Sequence, residues 1–189
     1  ASDFSPQLPS EFFAGDPLHI APALLGCHLV FRHAERGILR GRIVETEAYR
    51  GEEDLACHAS RGRTSRTETM YGPPGTAYIY LIYGMHHLLN VVAWPEGHPA
   101  SILIRALEPL DALHDARTDG PGRLTRAMGI DRSLNGVPME EKSGLWLEKR
   151  EPLDPTTVVT GPRVGVDYAG EWAKRPWRYW IRDSPYRSV

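Results

Sequence analysis

Short stretches of β-branched and aromatic residues, separated by tight turn residues, constrain the fold of this chain more than any other feature. Such stretches predict strands, because these side chains pack well on a pleated surface. Strands are predicted at residues 28–33, 38–49, 76–83, 86–94, 101–107 and 177–182. Most neighbouring strands are joined by short turns, which is typical of an antiparallel sheet.

Three helices are predicted beside these strands. Asp16 caps a short helix that starts at Pro17 and stops at Gly26, since proline suits the first turn and glycine suits the position after the last. Residues 109–117, which begin with a proline, and residues 122–128 also have helical patterns. We therefore expect an α+β fold: a curved, largely antiparallel β-sheet with flanking helices and a protruding β-hairpin.

The 189 residues contain no repeat and no linker, so we expect one domain over residues 1–189, with residues 1–15 as a poorly ordered or extended N-terminal arm. The N-terminus lacks the basic and apolar blocks of a signal peptide, and no apolar run approaches the roughly 18 residues that span a bilayer. Two distant cysteines, Cys27 and Cys57, argue against a disulfide framework. An intracellular protein without membrane contact is expected.

The basic residues are almost all arginines. Only three of the 22 lysines and arginines are lysines, and the net charge is −2, although nucleic-acid-binding domains often have a pI above about 9. Arginine binds phosphate through two parallel hydrogen bonds, where lysine offers a point charge. Four arginines lie near the C-terminus, at Arg175, Arg178, Arg182 and Arg187. They are either phosphate contacts or part of a solvated surface.

Two carboxylates lie in the strand sequence GRIVETEAY. Alternate residues of a strand share a face, so Glu45, Glu47 and Tyr49 are expected to point the same way. Carboxylates two residues apart in a strand are separated by roughly 6.5–7 Å. That spacing suits an inverting displacement, in which a water fits between an acid and a base. In the alternative interpretation both glutamates face solvent, paired with Arg42 or Arg105.

Three of the eight tyrosines, Tyr78, Tyr80 and Tyr83, lie within six residues. Tyr78 and Tyr80 share a strand face, and Tyr83 directly precedes Gly84 at an expected hairpin tip. An exposed aromatic residue at a tip is unfavourable for packing but forms a good wedge between stacked bases. The alternative, an aromatic core strand, suits Tyr78 better than Tyr83.

No metal site is predicted. The histidines lack HxxxH and HExxH spacing, and the HxE and PCxxC signature of zinc-dependent nucleobase deaminases is absent. A lone His58 would ordinarily be a surface residue or a satisfied core residue.

A series of segments resembles a known family in order and spacing. The segments are RIVETEAY, His58, GRTSR, YIYLIYGMHHLLN, LIRALEPL, GPGRL and RVGVDYAGEWAKRPWR, within about residues 22–188. They resemble the alkyladenine (3-methyladenine) DNA glycosylases of base excision repair. The resemblance implies an enzyme without cofactor or metal that binds double-stranded DNA as a monomer. It would flip damaged purines (3-methyladenine, 7-methylguanine, hypoxanthine or ethenoadenine) from the duplex and hydrolyse the N-glycosidic bond, leaving an abasic site.

The same resemblance implies roles for the site residues. Glu47 takes the place of the base that activates a water, which Arg105 and the backbone carbonyl of Val164 help to hold. Tyr83 fills the gap left in the base stack. Contacts with nearby DNA are expected from Arg63, Thr64 and Met85.

The resemblance also implies a pocket for the flipped base. Tyr49, His58 and Tyr80 would sandwich the base, and the backbone of His58 would read its edge. Asn90 would disfavour guanine, whose exocyclic amino group approaches it. Tyrosine faces attract cations by about 0.5–2 kcal/mol, which favours positively charged alkylpurines. Such a purine is already a good leaving group, so a positioned water and a base suffice.

Glycosylases that also cut the strand need an amine nucleophile. The only lysines, Lys142, Lys149 and Lys174, do not neighbour the pocket strands in sequence, so direct hydrolysis is favoured. Two rival functions remain. One is a glycoside hydrolase that uses Glu45 and Glu47, and the other is a non-catalytic damage-binding module, which would be expected to have lost the carboxylate.

Overall fold

The computed structural model describes residues 6–151 and 153–188, which form an α+β fold. The strands are β1 (His28–His33), β2 (Gly37–Arg50), β3 (Ala77–Ile82), β4 (His86–Val92), β5 (Ala100–Leu110), β6 (Leu145–Glu148), β7 (Val158–Gly161) and β8 (Arg178–Ile181). The α-helices are α1 (Pro17–Ala23) and α2 (Pro121–Met128). Short 3-10 segments lie at Ser10–Ala14, His58–Arg61, Glu68–Tyr71, Asp111–Leu113, Arg132–Leu134, Glu141–Ser143, Pro155–Thr157 and Asp167–Lys174. The paired strands of the sheet run antiparallel, which confirms the predicted α+β class with a largely antiparallel sheet.

The long strand β2 organises the sheet. The strand order is β3-β4-β5-β2-β1-β6, with β8 pairing with β2 and β7 with β8. One edge of β2 pairs with β5, so β1 and β8 share the other edge: residues 37–42 pair with β1 and residues 45–47 with β8. The β2–β5 register shifts on both sides of Glu45. The chain therefore changes partner strands where its two glutamates lie.

The helix predicted to begin at Pro17 is confirmed. Its first turn is capped by the Asp16 carboxylate, which accepts a hydrogen bond from the Leu18 N–H at 2.9 Å. The chain leaves the helical region through Gly26, whose φ of 88° suits glycine. The second confirmed helix, α2, is tied to the sheet because the Thr125 hydroxyl donates to the His87 carbonyl at 2.7 Å.

The helix predicted at residues 109–117 is wrong. Pro109 lies in β5 opposite Gly41, and only Asp111–Leu113 form a single 3-10 turn. A proline is tolerated in a strand that has a free edge, where no N–H is needed for pairing. β4 pairs only with residues 101–103 of β5, so the strand has β2 as its one partner strand at Pro109. The four-residue strands β6 and β7 were not among the predicted strands.

The expected N-terminal arm is also corrected in part. Residues 1–5 lie outside the described residues. The next residues pair with β6, since the Leu8 N–H donates to the Leu147 carbonyl at 2.7 Å. Residues 10–14 form a 3-10 helix rather than an extended segment, because Phe13 is buried in the core.

The two sheet faces differ in what they bury. In β3, Ala77 and Ile79 belong to the main apolar core, which also contains residues of α1 and α2. Alternate residues of a strand point to opposite faces, and Tyr78 accordingly belongs to a second, aromatic cluster against which Tyr49 and Tyr80 pack. Tyr78 and Met70 of this second cluster line the cavity that is described below. No helix among the described residues has the length and apolar character needed to cross a membrane.

Candidate active site

A cavity of about 570 Å³ opens beside the aromatic cluster. It lies between residues of β2 to β5, the 3-10 turn that starts at His58, and residues 164–168, where a loop leads into the 3-10 segment Asp167–Lys174. Seven predicted site residues line it: Tyr49, His58, Tyr80, Tyr83, Asn90, Arg105 and Val164. Residues that are far apart in sequence are thus brought into one pocket.

Glu47 has no exposed surface and lies directly behind three residues of the cavity wall. Its carboxylate accepts hydrogen bonds from the Tyr49 hydroxyl at 2.8 Å and from the Val164 N–H at 2.6 Å, and it pairs with the Arg105 guanidinium at 3.5 Å. We call Glu47, Tyr49, Arg105 and Val164 the carboxylate cluster. A buried charge is costly unless it is paired and hydrogen-bonded, and these three donors offset part of that cost.

Burial raises the pKa of Glu47 above its ordinary value. The Arg105 charge and the hydrogen bonds from Val164 and Tyr49 act in the opposite direction but do not cancel the effect. A general base works best when its pKa lies near the operating pH. The environment therefore shifts this carboxyl towards the range in which it can take up and release a proton.

Glu45 is equally buried and shares Arg105 with Glu47, but its two hydrogen-bond partners do not line the cavity. The Arg178 guanidinium is 3.0 Å away, Arg105 is 3.7 Å away, and the Ser188 N–H donates to it at 2.7 Å. Neither glutamate is among the residues that line the cavity. The interpretation of both glutamates as solvent-facing is wrong, and only Glu47 has its hydrogen-bond partners in the cavity wall. The pairing of Arg178 also removes one arginine from the expected set of phosphate contacts.

Two of the expected pocket rings contact each other. His58 and Tyr80 have their ring centroids 4.4 Å apart at an interplanar angle of 74°, an edge-to-face arrangement. The Nδ1 of His58 lies 3.0 Å from the hydroxyl of the buried Tyr78, which orients the imidazole. Burial lowers the pKa of His58 to about 4, and the nearby arginines Arg66 and Arg61 act in the same direction. The imidazole is therefore neutral at pH 7.

Asn90 is buried in β4 and held at both ends of its amide. Its side-chain nitrogen donates to the Tyr78 carbonyl at 3.4 Å, and its oxygen accepts from the Ser101 hydroxyl at 3.3 Å. These partners fix the amide orientation in the cavity wall.

The β3–β4 hairpin ends in residues 83–85, which we call the hairpin tip. Tyr83 is 89% exposed and Met85 is 68% exposed. The Met85 N–H donates to the Ile82 carbonyl at 3.1 Å, and both intervening residues have a positive φ, 51° at Tyr83 and 69° at Gly84. A positive φ is unfavourable for a residue as large as tyrosine, by about 1–3 kcal/mol. The tight turn thus presents an aromatic ring to solvent at the rim of the cavity.

The other predicted DNA contacts, Arg63 and Thr64, do not line the cavity. Arg63 forms two hydrogen bonds with the exposed Glu68, at 2.8 and 2.6 Å. The Thr64 N–H donates to the Thr67 hydroxyl at 2.8 Å, which closes a tight turn. These residues lie in the loop that follows His58, and a third residue of that loop, Arg66, lines the cavity.

Two features of the site were not predicted from the sequence: the buried ion pair of Asp54 and Arg163, and the exposed Tyr168 at the cavity. Asp54 lies in an acidic run that resembles an exposed surface segment, so nothing in the sequence indicated its burial. Arg163 precedes Val164 in the segment RVGV, which gave no signal for its partner. Across residues 6–151 and 153–188, no group of three or more histidine, cysteine, aspartate or glutamate side chains could hold a metal ion.

A sequence model described as Methylpurine-DNA glycosylase (MPG) matches residues 11–185. A protein of Myxococcus xanthus (strain DK1622), provisionally named a 3-methyladenine DNA glycosylase, is 52% identical over 183 residues, which cover 96% of this chain and 93% of the relative. A relative from Legionella pneumophila (strain Corby) with the same name is 47% identical over 182 residues, covering 96% of this chain and 98% of its own.

The fold, the cavity and these matches define a DNA glycosylase of alkylated-purine repair. The chain belongs to the methylpurine-DNA glycosylase family. The predicted family is thereby confirmed, and a free-sugar glycoside hydrolase is not supported.

Proposed function

We propose that this protein flips damaged purines out of double-stranded DNA and hydrolyses their N-glycosidic bonds with a water activated by Glu47. The observation that carries the proposal is the carboxylate cluster: a fully buried carboxylate whose three hydrogen-bond partners all line one aromatic cavity. A target base inside a duplex cannot be reached otherwise, so it must be extruded into a pocket of this kind.

Glu47 takes a proton from the attacking water and stabilises the positive charge that develops on the sugar. Arg105 and the backbone of Val164 hold the reacting groups in place, the N–H of Val164 on the carboxylate and its carbonyl on the water. The raised pKa of Glu47 favours this role, because a base with a very low pKa would accept a proton poorly. Glu45 has a structural role, since its carboxylate is occupied by Arg178 and Ser188.

The flipped base stacks between Tyr49 on one side and His58 with Tyr80 on the other. A base cannot lie between His58 and Tyr80, because their rings are already in contact at 4.4 Å. Aromatic walls replace the stacking lost from the duplex, at about 1–3 kcal/mol per base. The fixed amide of Asn90 disfavours guanine, whose exocyclic amino group would approach it.

The hairpin tip inserts into the duplex. Tyr83 occupies the gap left by the flipped nucleotide, and Met85, Arg63 and Thr64 contact DNA close by. The exposure and the unfavourable backbone conformation of Tyr83 support this role, since strain of this kind clusters at functional sites. Arg63 would exchange its partner Glu68 for a phosphate on binding.

Hydrolysis is direct and leaves an intact strand with an abasic site. Among the described residues, no lysine lines the cavity, so no amine is in position to form a Schiff base with the sugar. Lys142 and Lys174 pair with Glu140 and Glu171 on the surface.

Cationic alkylpurines such as 3-methyladenine and 7-methylguanine are the preferred substrates, and neutral lesions such as hypoxanthine and ethenoadenine are removed less efficiently. A neutral base needs a proton before it leaves, and His58, the candidate side chain for that role, is neutral at pH 7 because its pKa is lowered to about 4. Binding by tyrosine faces adds to the preference for cations.

A product assay tests this proposal. Duplexes with a single 7-methylguanine or hypoxanthine are incubated with the protein and analysed with and without alkali, and borohydride is added in parallel to trap a Schiff base. We expect strand cleavage only after alkali, and no covalent complex. Cleavage without alkali or a trapped complex would contradict direct hydrolysis, and binding without base release would favour the non-catalytic damage-binding module.

A further inference from the structure

The only ion pair in the described part of the chain whose two side chains are both fully buried lies behind the cavity. Arg163 donates to both oxygens of Asp54, at 2.6 and 2.9 Å. A buried ion pair is weak evidence for stability, since desolvation of both charges offsets much of their attraction. Stability alone therefore does not explain why this ion pair is buried here.

The pair joins segments that meet at the active site. Asp54 also accepts hydrogen bonds from the N–H groups of Arg50, at the end of β2, and Ala56, in the turn that leads to His58. Arg163 also donates to the carbonyls of Ala48 in β2, at 3.0 Å, and Trp172, at 3.1 Å. Both charged groups therefore have nearly all their hydrogen bonds in the elements that carry the pocket residues.

Arg163 also supports the wall of the cavity. Its guanidinium carbon lies 4.9 Å from the ring centroids of both Tyr49 and Trp177. Contacts of this kind between arginine and aromatic rings are attractive, and they restrict the ring plane. Tyr49 in turn lines the cavity and donates its hydroxyl to Glu47.

Val164, the next residue along the chain, connects Arg163 to Glu47. Val164 donates its N–H to Glu47 at 2.6 Å, the shortest contact of the carboxylate. Because Arg163 is anchored to Asp54 and to β2, the direction of the following peptide N–H is fixed relative to the strand that carries Glu47.

We propose that the Asp54–Arg163 ion pair is the positioning unit of this active site, which holds the Val164 N–H and the Tyr49 hydroxyl on the Glu47 carboxylate. Neither member touches the substrate, and both act through the carboxylate cluster. The inference rests on the proposed function of Glu47.

The test is the pH dependence of base excision. The hydrogen bond from Val164 lowers the pKa of Glu47, so loss of its alignment raises that pKa further. The charged and titratable groups that face Glu47 are Glu45 and Tyr49 of β2, Tyr80 of β3, Arg105 of β5, Arg163 beside Val164 and Arg178 opposite on β8. A substitution that keeps the charge of Arg163 leaves these electrostatic contributions in place and changes only the geometry.

Arg163→Lys is that substitution, because lysine keeps the charge but loses the planar, two-point contact. Single-turnover excision of 7-methylguanine is measured across pH. We expect a rate lower by on the order of tenfold to a hundredfold, as small misplacements of reacting groups produce. The excision rate is expected to rise with pH as Glu47 ionises. The pH at which this rise is half complete, the half-point, should move up by about one pH unit, because a hydrogen bond to a charged group is weakened.

Arg50→Lys is the matched control. Arg50 also forms two hydrogen bonds with an aspartate, Asp16, and stacks on a tryptophan, Trp94, at 4.6 Å, but its side chain lies outside the cavity. The excision rate of the Arg50→Lys variant and the half-point of its pH dependence should match those of the wild type. Thermal unfolding of each variant verifies that it is folded at the assay temperature.

If Arg163→Lys does not fold, Asp54→Glu takes its place, because it also keeps both charges and changes only the geometry of the pair. A slower rate with an unchanged half-point would show a merely structural pair, and a wild-type rate would also overturn the inference. Wild-type protein that excises no base would instead contradict the proposed function, so the two failures are distinguishable.

Discussion

Glu47 and Tyr83 line or adjoin the same cavity but are held in opposite ways. Glu47 has no exposed surface and is fixed by donors from β2, β5 and the loop at Val164, whereas Tyr83 is 89% exposed on a three-residue hairpin tip. Dipoles and charges that are fixed before the reaction stabilise a transition state without further reorganisation. A wedge, in contrast, must reach out of the protein to enter a base stack. The carboxylate cluster is therefore built for bond cleavage and the hairpin tip for binding and extrusion.

The largest effect is expected from Glu47→Gln. The amide keeps the size of the side chain but cannot act as a base, so single-turnover excision should fall by several orders of magnitude while DNA binding is retained. Measuring the excision rate and the binding of a lesion duplex on the same preparation separates the two. A near-normal rate would sink the assignment of Glu47.

A smaller effect of another kind is expected from Tyr83→Ala. Loss of the ring removes about a few kcal/mol from the free energy of DNA binding, which the ring contributes by wedging into the base stack. Binding of lesion duplexes should therefore weaken, and flipping should slow. The chemical step on a base that flips easily, such as one opposite a mismatch, should be spared. Fluorescence of a flipped reporter base measures the effect, with Tyr83→Phe as the variant that keeps the ring. An unchanged fluorescence signal in the alanine variant would contradict the assignment of extrusion to the hairpin tip.

The smallest effect on excision is expected from Glu45→Gln. Its carboxylate is paired with Arg178 and bonded by the Ser188 N–H, so the substitution should cost about 1–3 kcal/mol in the free energy of unfolding. Excision per folded molecule should fall by less than about tenfold, because the partners of Glu47 remain. Glu68→Gln, at the exposed pair with Arg63, is the stability control and should change little. A loss of excision as large as that of Glu47→Gln would revive a mechanism with two carboxylates.

The same contrast separates what the sequence could predict from what it could not. The strand of Glu47, the hairpin with Tyr83 at its tip and the capped helix at Pro17 follow local patterns, and the structure confirms each of these elements. The predicted helix at residues 109–117 was wrong because the pairing of β5 with β2 extends through Pro109 and overrides the local preference.

Tertiary partners lie beyond local patterns. Asp54 and Arg163 are separated by 109 positions, and neither the acidic run around one nor the motif around the other predicts a shared buried site. Likewise, two glutamates of one strand looked equivalent in sequence. The register shift at Glu45 and the change of partner strands give them different neighbours. Only the folded chain shows that the hydrogen-bond partners of Glu47, and not those of Glu45, line the cavity.

The ionisation of Glu47 tests the account most directly, through the single-turnover excision rate as a function of pH for 7-methylguanine and for hypoxanthine. Only the ionised carboxylate can act as a base, so the rate for the cationic lesion should rise with pH and then level off. Its half-point should lie above the ordinary pKa of a glutamate, because burial raises the pKa of Glu47. The rate for neutral hypoxanthine should be lower and bell-shaped, since this base must also gain a proton before it leaves. Equal rates with flat profiles on both lesions would contradict a mechanism in which Glu47 is the catalytic base.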